Sequence, residues 1–305
     1  MATADLPLVT IVTPSYNQGR FIEETVQSVF SQDYPNLEYL VFDGGSRDGT
    51  VDILRKYSDR LWFVSERDRG QSHAINKGFR KAKGEIVAFL NSDDTYLPGA
   101  VCAAVRALQE NPQAPMVYGE GNHVREDGTV MDRYPTEPFS YSRLRETCFI
   151  CQPTTFMRSS AVRAIGYVNE SLHYCMDYDL WIRLSKLGAP VYVNQLLATS
   201  RLYSENKTLG QRRQMHWEIA RNWKDHLGEV PTAWVFALAH AILETRWKFD
   251  RTKPRDNALF VSSLTALSAL LFLYFNQEIK PEESRQLREW AGWLVNGVAK
   301  KLRMG

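Results

Sequence analysis

Cysteine is scarce in this chain, four residues in 305, which is too few for a disulfide scaffold to hold the fold together. Cys148 and Cys151 make a CxxC, but no second pair stands at zinc-site spacing, and a structural role is the better reading. Met1 to Pro7 lacks the apolar core of a secretion signal, so a reducing cytoplasm is the expected compartment. No Ser/His/Asp order, HExxH pair or Walker Gly-Lys-Ser/Thr occurs, and Asp43-Gly44-Gly45-Ser46 is not a GxGxxG fingerprint. Protease, P-loop and dinucleotide readings therefore lose support. There is no internal repeat and no low-complexity linker. Histidines are scattered, and only His73 falls near the candidate cleft described below.

What is present is ordinary for a soluble globular protein: 44% hydrophobic residues, 24% charged residues and a mean hydropathy of -0.35. The length suggests one large domain with an appendage. A net charge of +2 hides an asymmetry, since residues 201-305 carry 17 Lys/Arg against 11 Asp/Glu while residues 1-200 carry 20 against 24. This is too sparse for a nucleic-acid stripe, and no nucleic-acid partner is expected. The basic tail reads as solvated helix faces or as a surface turned towards an anionic membrane.

Strand and helix signals alternate along the first hundred residues. Leu8 to Val12 is a β-branched run, Phe21 to Phe30 has helical spacing, and Leu37 to Phe42, Leu61 to Val64 and Glu85 to Leu90 are further strands. Asp48 to Tyr57 and Gln71 to Lys81 are the helices between them. Continuously apolar strands such as Ile86 to Leu90 imply a parallel sheet covered by helices on both faces, with ligands beyond the carboxyl ends of the strands. Ser15-Tyr16-Asn17, Asp43 to Ser46, Glu66 to Gly70 and Asn91 to Asp94 would converge on that edge. A helix over Pro98 to Gln109, short strands at Met116 to Tyr118, Asn122 to Arg125 and Thr129 to Arg133, and a helix over residues 177-187 follow.

Asp93 and Asp94 close a buried strand at that edge. Hard oxygen donors suit Mg²⁺ or Mn²⁺, which take one or two carboxylates and complete their shell with water and phosphate oxygens. A solvated turn ahead of the next helix is the alternative, and the pair alone favours it. Asp177 and Asp179 open a helix, where an i,i+2 pair leaves in different directions, so one can face a site. Two ordinary first-turn acids remain the alternative there.

Together the segments Val12 to Asn17, Asp43 to Thr50, Ser65 to Gln71, Ala74 to Gly78, Phe89 to Asp94 and Met176 to Trp181 resemble glycosyltransferase family 2, whose members have the GT-A fold. The resemblance covers residues 7-204. It implies an inverting transferase of the hexosyltransferase type that moves a sugar from a nucleotide diphosphate sugar, UDP being the commonest choice, to a hydroxyl of a saccharide or lipid-linked glycan. By that resemblance Asp43 would bond the base, Thr13, Pro14 and Tyr16 would line its pocket, Asp68 would contact the nucleoside, and Asp93 would position the ribose or metal shell. Asp94 would be the Mn²⁺ or Mg²⁺ ligand, and Asp177 the general base. Many members carry a His in an Arg-x-His context after the catalytic helix; here Ser200-Arg201-Leu202-Tyr203 has Tyr203 instead. No Gln-x-x-Arg-Trp motif is present, which favours single addition. A nucleotide-binding assembly subunit without turnover, or a sugar nucleotidyltransferase, are the rival readings.

The expected architecture is an α/β catalytic domain over residues 1-204, with a mixed, mainly parallel sheet. Its nucleotide-sugar part covers about 1-97 and its acceptor part about 98-204, and a helical region over 205-305 follows. Ala258 to Phe275 is an uncharged run of 18 residues, at the lower limit for a membrane span. Ser262, Thr265 and Ser268 recur in it every third residue, which suits a helix buried in protein or lying at an interface. Trp290, Trp293 and Lys300-Lys301-Leu302-Arg303 read as a membrane-surface helix or a helical cap, so peripheral contact with the inner face of a membrane is one expectation for this region.

Overall fold

The protein is described by a computed structural model that covers residues 6-203 and 211-302, with side chains through residue 292. Residues 204-210, Arg303 and the side chains of Trp293, Lys300, Lys301 and Leu302 lie outside what is described. The chain forms two compact units, one of Met1–Leu144 with Cys148–Leu209, the other of Arg145–Thr147 with Gly210–Gly305.

The first unit is built on a nine-stranded sheet flanked by helices. Its elements are β1 (Val9–Ser15), α1 (Ile22–Phe30), β2 (Leu37–Asp43), α2 (Thr50–Arg55), β3 (Trp62–Ser65), α3 (Gln71–Lys81), β4 (Ile86–Phe89), β5 (Thr95–Tyr96) and α4 (Ala100–Glu110). They continue through β6 (Met116–Val124), β7 (Val130–Arg133), α5 (Tyr141–Leu144), β8 (Phe156–Arg158), α6 (Ser159–Ala164), α7 (Met176–Ser185) and β9 (Val191–Arg201). The strand order is β3-β2-β1-β4-β8-β6-β9-β5, with β7 added to β6. β1 pairs in parallel with β2 and β4, and β2 with β3, because each crossover is a helix. The second half mixes senses: β6 runs parallel to β9 and antiparallel to β7 and β8.

Two details depart from expectation. The pieces at Met116 to Tyr118 and Asn122 to Arg125 are largely one strand, β6, which runs through Gly119 and Gly121. Those glycines are not turn residues: a side chain at Gly119 would meet Leu197, and one at Gly121 would meet the Cys151 sulfur. β9, with Asn194 and Gln195 in its middle, pairs with β6 across two register shifts. The irregular pairing and the polar centre remove the alternation that marks a strand.

The second unit contains four long helices, α8 (Arg212–Leu227), α9 (Thr232–Arg246), α10 (Pro254–Asn276) and α11 (Pro281–Leu302). Gly228, at φ 76°, ends α8, and Pro254 and Pro281 occupy the first positions of their helices. Trp223, Val235, Leu238, Ala239, Phe260, Leu271 and Phe272 are buried. The Glu283 carboxylate, 1% exposed, accepts from Thr232 Oγ1 at 2.8 Å and from Lys280 N at 2.8 Å, closing α9 onto the start of α11.

In the first unit α3 lies against β1 at Gly78, where a methyl group would run into Val12 Cγ1. Val12 is β-branched and fully buried, so it has no rotamer to escape to. We expect Gly78→Ala to lower stability by about 1 kcal/mol or more, overpacking outweighing the helix-propensity gain. Urea unfolding measures it, and unchanged or raised stability would mean that the close approach is not a constraint.

Candidate active site

The carboxyl ends of β1, β2 and β4 gather the polar segments named above. The β1–α1 and β2–α2 loops are knitted by backbone-to-side-chain bonds. Asn17 N donates to Ser46 Oγ at 2.7 Å, Arg47 N to Asn17 Oδ1 at 3.0 Å, Gln18 N to Thr50 Oγ1 at 3.0 Å and Gly19 N to Asp48 Oδ2 at 2.9 Å. Asn17 takes the left-handed backbone conformation, φ 52°, which asparagine tolerates better than most residues.

Within this frame the nucleotide residues divide. Asp43 is 2% exposed, and its carboxylate accepts from Gly45 N, Ser46 N, Ser46 Oγ and Ser65 Oγ. Three donors converge on Oδ2 and one on Oδ1, so Asp43 shapes the loop and keeps accepting capacity on Oδ1. Thr13 is fully buried and its hydroxyl shares a hydrogen bond with Tyr39 OH at 3.1 Å, and Pro14, next along β1 and so on the other face of the sheet, is buried as well. Tyr16, 63% exposed, is the residue of that stretch that faces outward. Asp68 is half-buried, accepts from Gly70 N at 2.8 Å through Oδ1, and turns its carboxylate to Gly44. A side chain at Gly44 would stand 3.1 Å from Asp68 Oδ2, so the glycine makes room for that carboxylate.

Asp93 and Asp94 occupy a turn after β4, and they too are not equivalent. Asp94 is 3% exposed; Oδ1 accepts from Arg201 N at 2.9 Å and Oδ2 from Asn91 Nδ2 at 3.2 Å. Asn91 is itself fixed by Gln71 and Gln152. Burial and the charge of Asp93 push the Asp94 carboxyl well above the usual range, against the lowering effect of those two bonds. Asp93 is less buried, and its Oδ2 accepts from Tyr203 OH at 2.8 Å. Burial raises its pKa, with the Tyr203 bond and the Arg201 and Arg20 charges pulling it down. Of the two, Asp93 is the more exposed, and Asp94 is buried with both carboxylate oxygens bonded.

Arg201, 4% exposed at the end of β9, holds this turn. Its Nε donates to Asp93 O at 2.9 Å, Nη1 to Glu126 O at 2.7 Å, and Nη2 pairs with Glu24 at 2.5 Å. Two residues on, Tyr203 donates to Asp93, accepts from Gln18 Nε2 at 3.2 Å and packs on Phe21, with the Arg20 guanidinium 4.8 Å from its ring. Burial and the Asp93 charge raise the Tyr203 pKa, so the phenol keeps its proton and remains a donor. Arg201, Gln71, Gln152 and Gln18 were not singled out from sequence as site residues, because their partners lie tens of residues away.

At the start of α7, Asp177 is half-buried and Asp179 is 2% exposed. Asp179 pairs with Arg183 at 2.6 Å, and Arg183 also donates to Ile165 O and Tyr167 O. Asp179 is therefore an internal tie, and Asp177 is the acid of the pair turned to the other side. Burial pushes Tyr134, Cys148 and Cys151 upward, with the Asp177 charge adding to the first two and the Asp94 charge to the third. All four cysteines are free thiols.

The family model described as "Glycosyl transferase family 2" matches residues 10–166. The chain belongs to glycosyl transferase family 2. A Bacillus subtilis relative named as a teichuronic acid biosynthesis glycosyltransferase, TuaG, is 32% identical over 209 residues, 66% of this chain and 81% of that one. Among solved structures, S. aureus TarS 1-349 in complex with UDP-GlcNAc aligns with TM-score 0.64 at 16% identity, covering 95% of this chain and 92% of that one. The mannosyltransferase PcManGT from Pyrobaculum calidifontis, in complex with GDP-Man and Mn²⁺, aligns with TM-score 0.60 at 20% identity, covering 98% and 88%. These likenesses establish the GT-A fold for the family 2 chain. The chain spans 66% or less of the length of the curated relatives it first matches.

No cluster of three or more His, Cys, Asp or Glu suited to a metal occurs among the described residues. The donor set nevertheless fits a hard cation that takes part of its shell from phosphate: among the described residues Asp93 Oδ1 has no side-chain partner, and the Asp93–Asp94 repulsion is relieved by positive charge. Arg201→Lys keeps the charge but loses the fork that reaches Asp93 O, Glu126 O and Glu24 together, so it should destabilise the unit by about 2 kcal/mol or more. Tyr203→Phe should leave the fold intact and weaken Mn²⁺-supported UDP binding several-fold through a freer Asp93. Thermal denaturation and calorimetric titration check both, and Arg201→Lys with unchanged stability would refute the strut.

Proposed function

We propose that this family 2 chain is an inverting glycosyltransferase that moves a hexosyl group from a nucleotide diphosphate sugar, UDP-linked, to a hydroxyl of a saccharide or lipid-linked glycan. It works in polysaccharide synthesis, adding single sugars in the cytoplasm. The observation that carries the reading is the position of Asp177, half-buried in the first turn of α7, two residues from Asp179, which pairs with Arg183. TarS with UDP-GlcNAc and PcManGT with GDP-Man support a nucleotide-sugar donor, and the Mn²⁺ of the latter complex supports a divalent cation.

In this reading the half up to about residue 97 takes the donor. Tyr16 stacks on or borders the base, Asp68 receives a nucleoside hydroxyl or base N–H, and Asp43 keeps the loop in shape. Asp93 is assigned the role of cation ligand, with Asp94 supporting it, in place of the sequence-based assignment to Asp94. Bound Mn²⁺ or Mg²⁺ would offset the charge developing on the nucleoside diphosphate. Asp177, in the acceptor half up to residue 204, takes the proton from the attacking hydroxyl. That hydroxyl adds at the anomeric carbon as the bond to the diphosphate oxygen breaks, and a single displacement inverts the configuration. Its location in the first turn of α7 sets the carboxylate beside the positive end of the helix dipole.

Arg201 is paired with Glu24 and Arg20 with Glu126, so the arginines beside the acidic turn already have counter-charges. UDP without a divalent cation should therefore bind weakly. A thermal-shift panel of UDP, GDP and dTDP with and without Mn²⁺ is expected to show a metal-dependent shift, strongest for UDP. Equal shifts with and without cation would remove the metal from the proposal. Asp93→Asn should reduce the shift more than Asp94→Asn does at matched stability.

Asp177→Asn should lower the transfer rate by about 10² to 10⁴ with donor affinity nearly unchanged. Asp179→Asn should instead cost about 3 kcal/mol of stability by stranding buried Arg183, while the folded fraction keeps its turnover. Full transfer by Asp177→Asn would end the general-base assignment.

A further inference from the structure

In the second unit, α10 is, among the described residues, the one helix long and apolar enough to cross a membrane, with a mean hydropathy of 2.0, yet only 28% of that window is buried. It is not a core helix. Phe260, Leu271, Phe272 and Phe275 are buried on its inner side, and it packs on α9 and α11. On the opposite side, Leu259, Leu270, Leu273 and Tyr274 are 59%, 63%, 51% and 68% exposed. At 100° per residue, Arg255, Leu259, Ser262, Ala266, Leu270 and Leu273 form one stripe along the whole helix. No charged residue occurs from Asn257 to Gln277.

The hydroxyl on this stripe, that of Ser262, does not demand water. Ser262 Oγ donates to Ala258 O at 2.8 Å and Thr265 Oγ1 to Val261 O at 2.8 Å, and Ser268 is turned into the unit. The serine and threonine spacing starts on the stripe at Ser262 and rotates off it through Thr265 to buried Ser268, so it does not define the outer face. Trp247, 52% exposed, precedes the helix, and Lys248, Arg251, Lys253 and Arg255 are all exposed beside it, against two acids, Asp250 and Asp256. Tyr274 stands at the far end.

We infer that this face of the second unit docks on an anionic lipid surface, with α10 lying along the interface. An apolar stripe whose hydroxyl is bonded within the helix can enter the acyl boundary, Trp247 and Tyr274 suit the headgroup level, and the cationic cluster complements anionic headgroups. A spanning arrangement would need the inner side of α10 exposed to lipid, whereas that side is packed on protein. Pairing with a second copy is less well matched, since a parallel two-fold contact would bring the cationic clusters together and an antiparallel one would leave them without counter-charge on the stripe. The inference is independent of the catalytic reading.

The test is co-sedimentation of the full chain with vesicles of phosphatidylcholine alone and of phosphatidylcholine with phosphatidylglycerol. The chain should partition onto the anionic vesicles at least about tenfold more strongly than onto neutral ones, and high salt should weaken this. Leu270→Glu with Leu273→Glu, and separately Lys248→Glu with Arg255→Glu, should each lower partitioning by about tenfold or more. These side chains are exposed, and an unchanged melting temperature confirms that the variants fold; Leu270→Ser serves as a milder second variant. Partitioning no better than onto phosphatidylcholine, or unaffected by the leucine changes, would overturn the inference. So would a dimer in light scattering that the leucine changes dissolve in a chain that ignores vesicles. Loss of nucleotide binding with vesicle binding intact would count against the catalytic reading and leave this one standing.

Discussion

The buried guanidinium of Arg201 is the interaction on which the site's geometry depends. It joins the end of β9 to the Asp93–Asp94 turn through the Asp93 carbonyl, to the β6–β7 turn through the carbonyls of Arg125 and Glu126, and to α1 through Glu24. Its own backbone N–H holds Asp94. A buried cation with so many fixed partners cannot shift by itself, because every displaced contact would leave a charge or carbonyl unsatisfied in a low-dielectric setting. The turn that carries the acids is thereby as rigid as the sheet, although by sequence it is a loop. Thr25 adds a second anchor by donating to Asp94 O at 2.8 Å from the buried face of α1.

Legibility from sequence follows how local each determinant is. α3 was expected over Gln71 to Lys81 and lies there, because its apolar spacing and the flanking Gly70, at φ 113°, are properties of a dozen consecutive residues. β1 and β2 were legible for the same reason. β9 was not, since its partner β6 is over seventy residues earlier and its register is broken twice. The glycines of β6 looked like breaks because a glycine's cause, here Leu197 and Cys151 pressing close, is invisible in one dimension.

In the site, the motifs pointed to these loops, and the structure distinguishes the residues within them by their partners. Adjacent Asp93 and Asp94 cannot be told apart by composition; the difference is which one meets Arg201 N and which meets Tyr203. Asp43 and Asp68 show the same division, one bonded into its own loop and the other facing the space left by Gly44. Asp177 and Asp179 were separable in principle, because helical geometry sends them about 200° apart, but only Arg183, one turn on from Asp179, shows which of them is internal.

Charge placement gives these assignments a common logic. The arginines nearest the acidic turn are matched by Glu24 and Glu126, so they brace the turn without cancelling its field. Tyr203 contributes a donor without a charge, and its raised pKa keeps it that way. A histidine in that position could titrate near neutrality or offer nitrogen to a cation; a phenol that stays protonated does neither and leaves oxygen as the dominant donor type at the turn. In the proposed function, two carboxylates held in place by neighbours that orient them would take a hard cation arriving with a diphosphate more readily than either species alone, since each supplies what the other lacks.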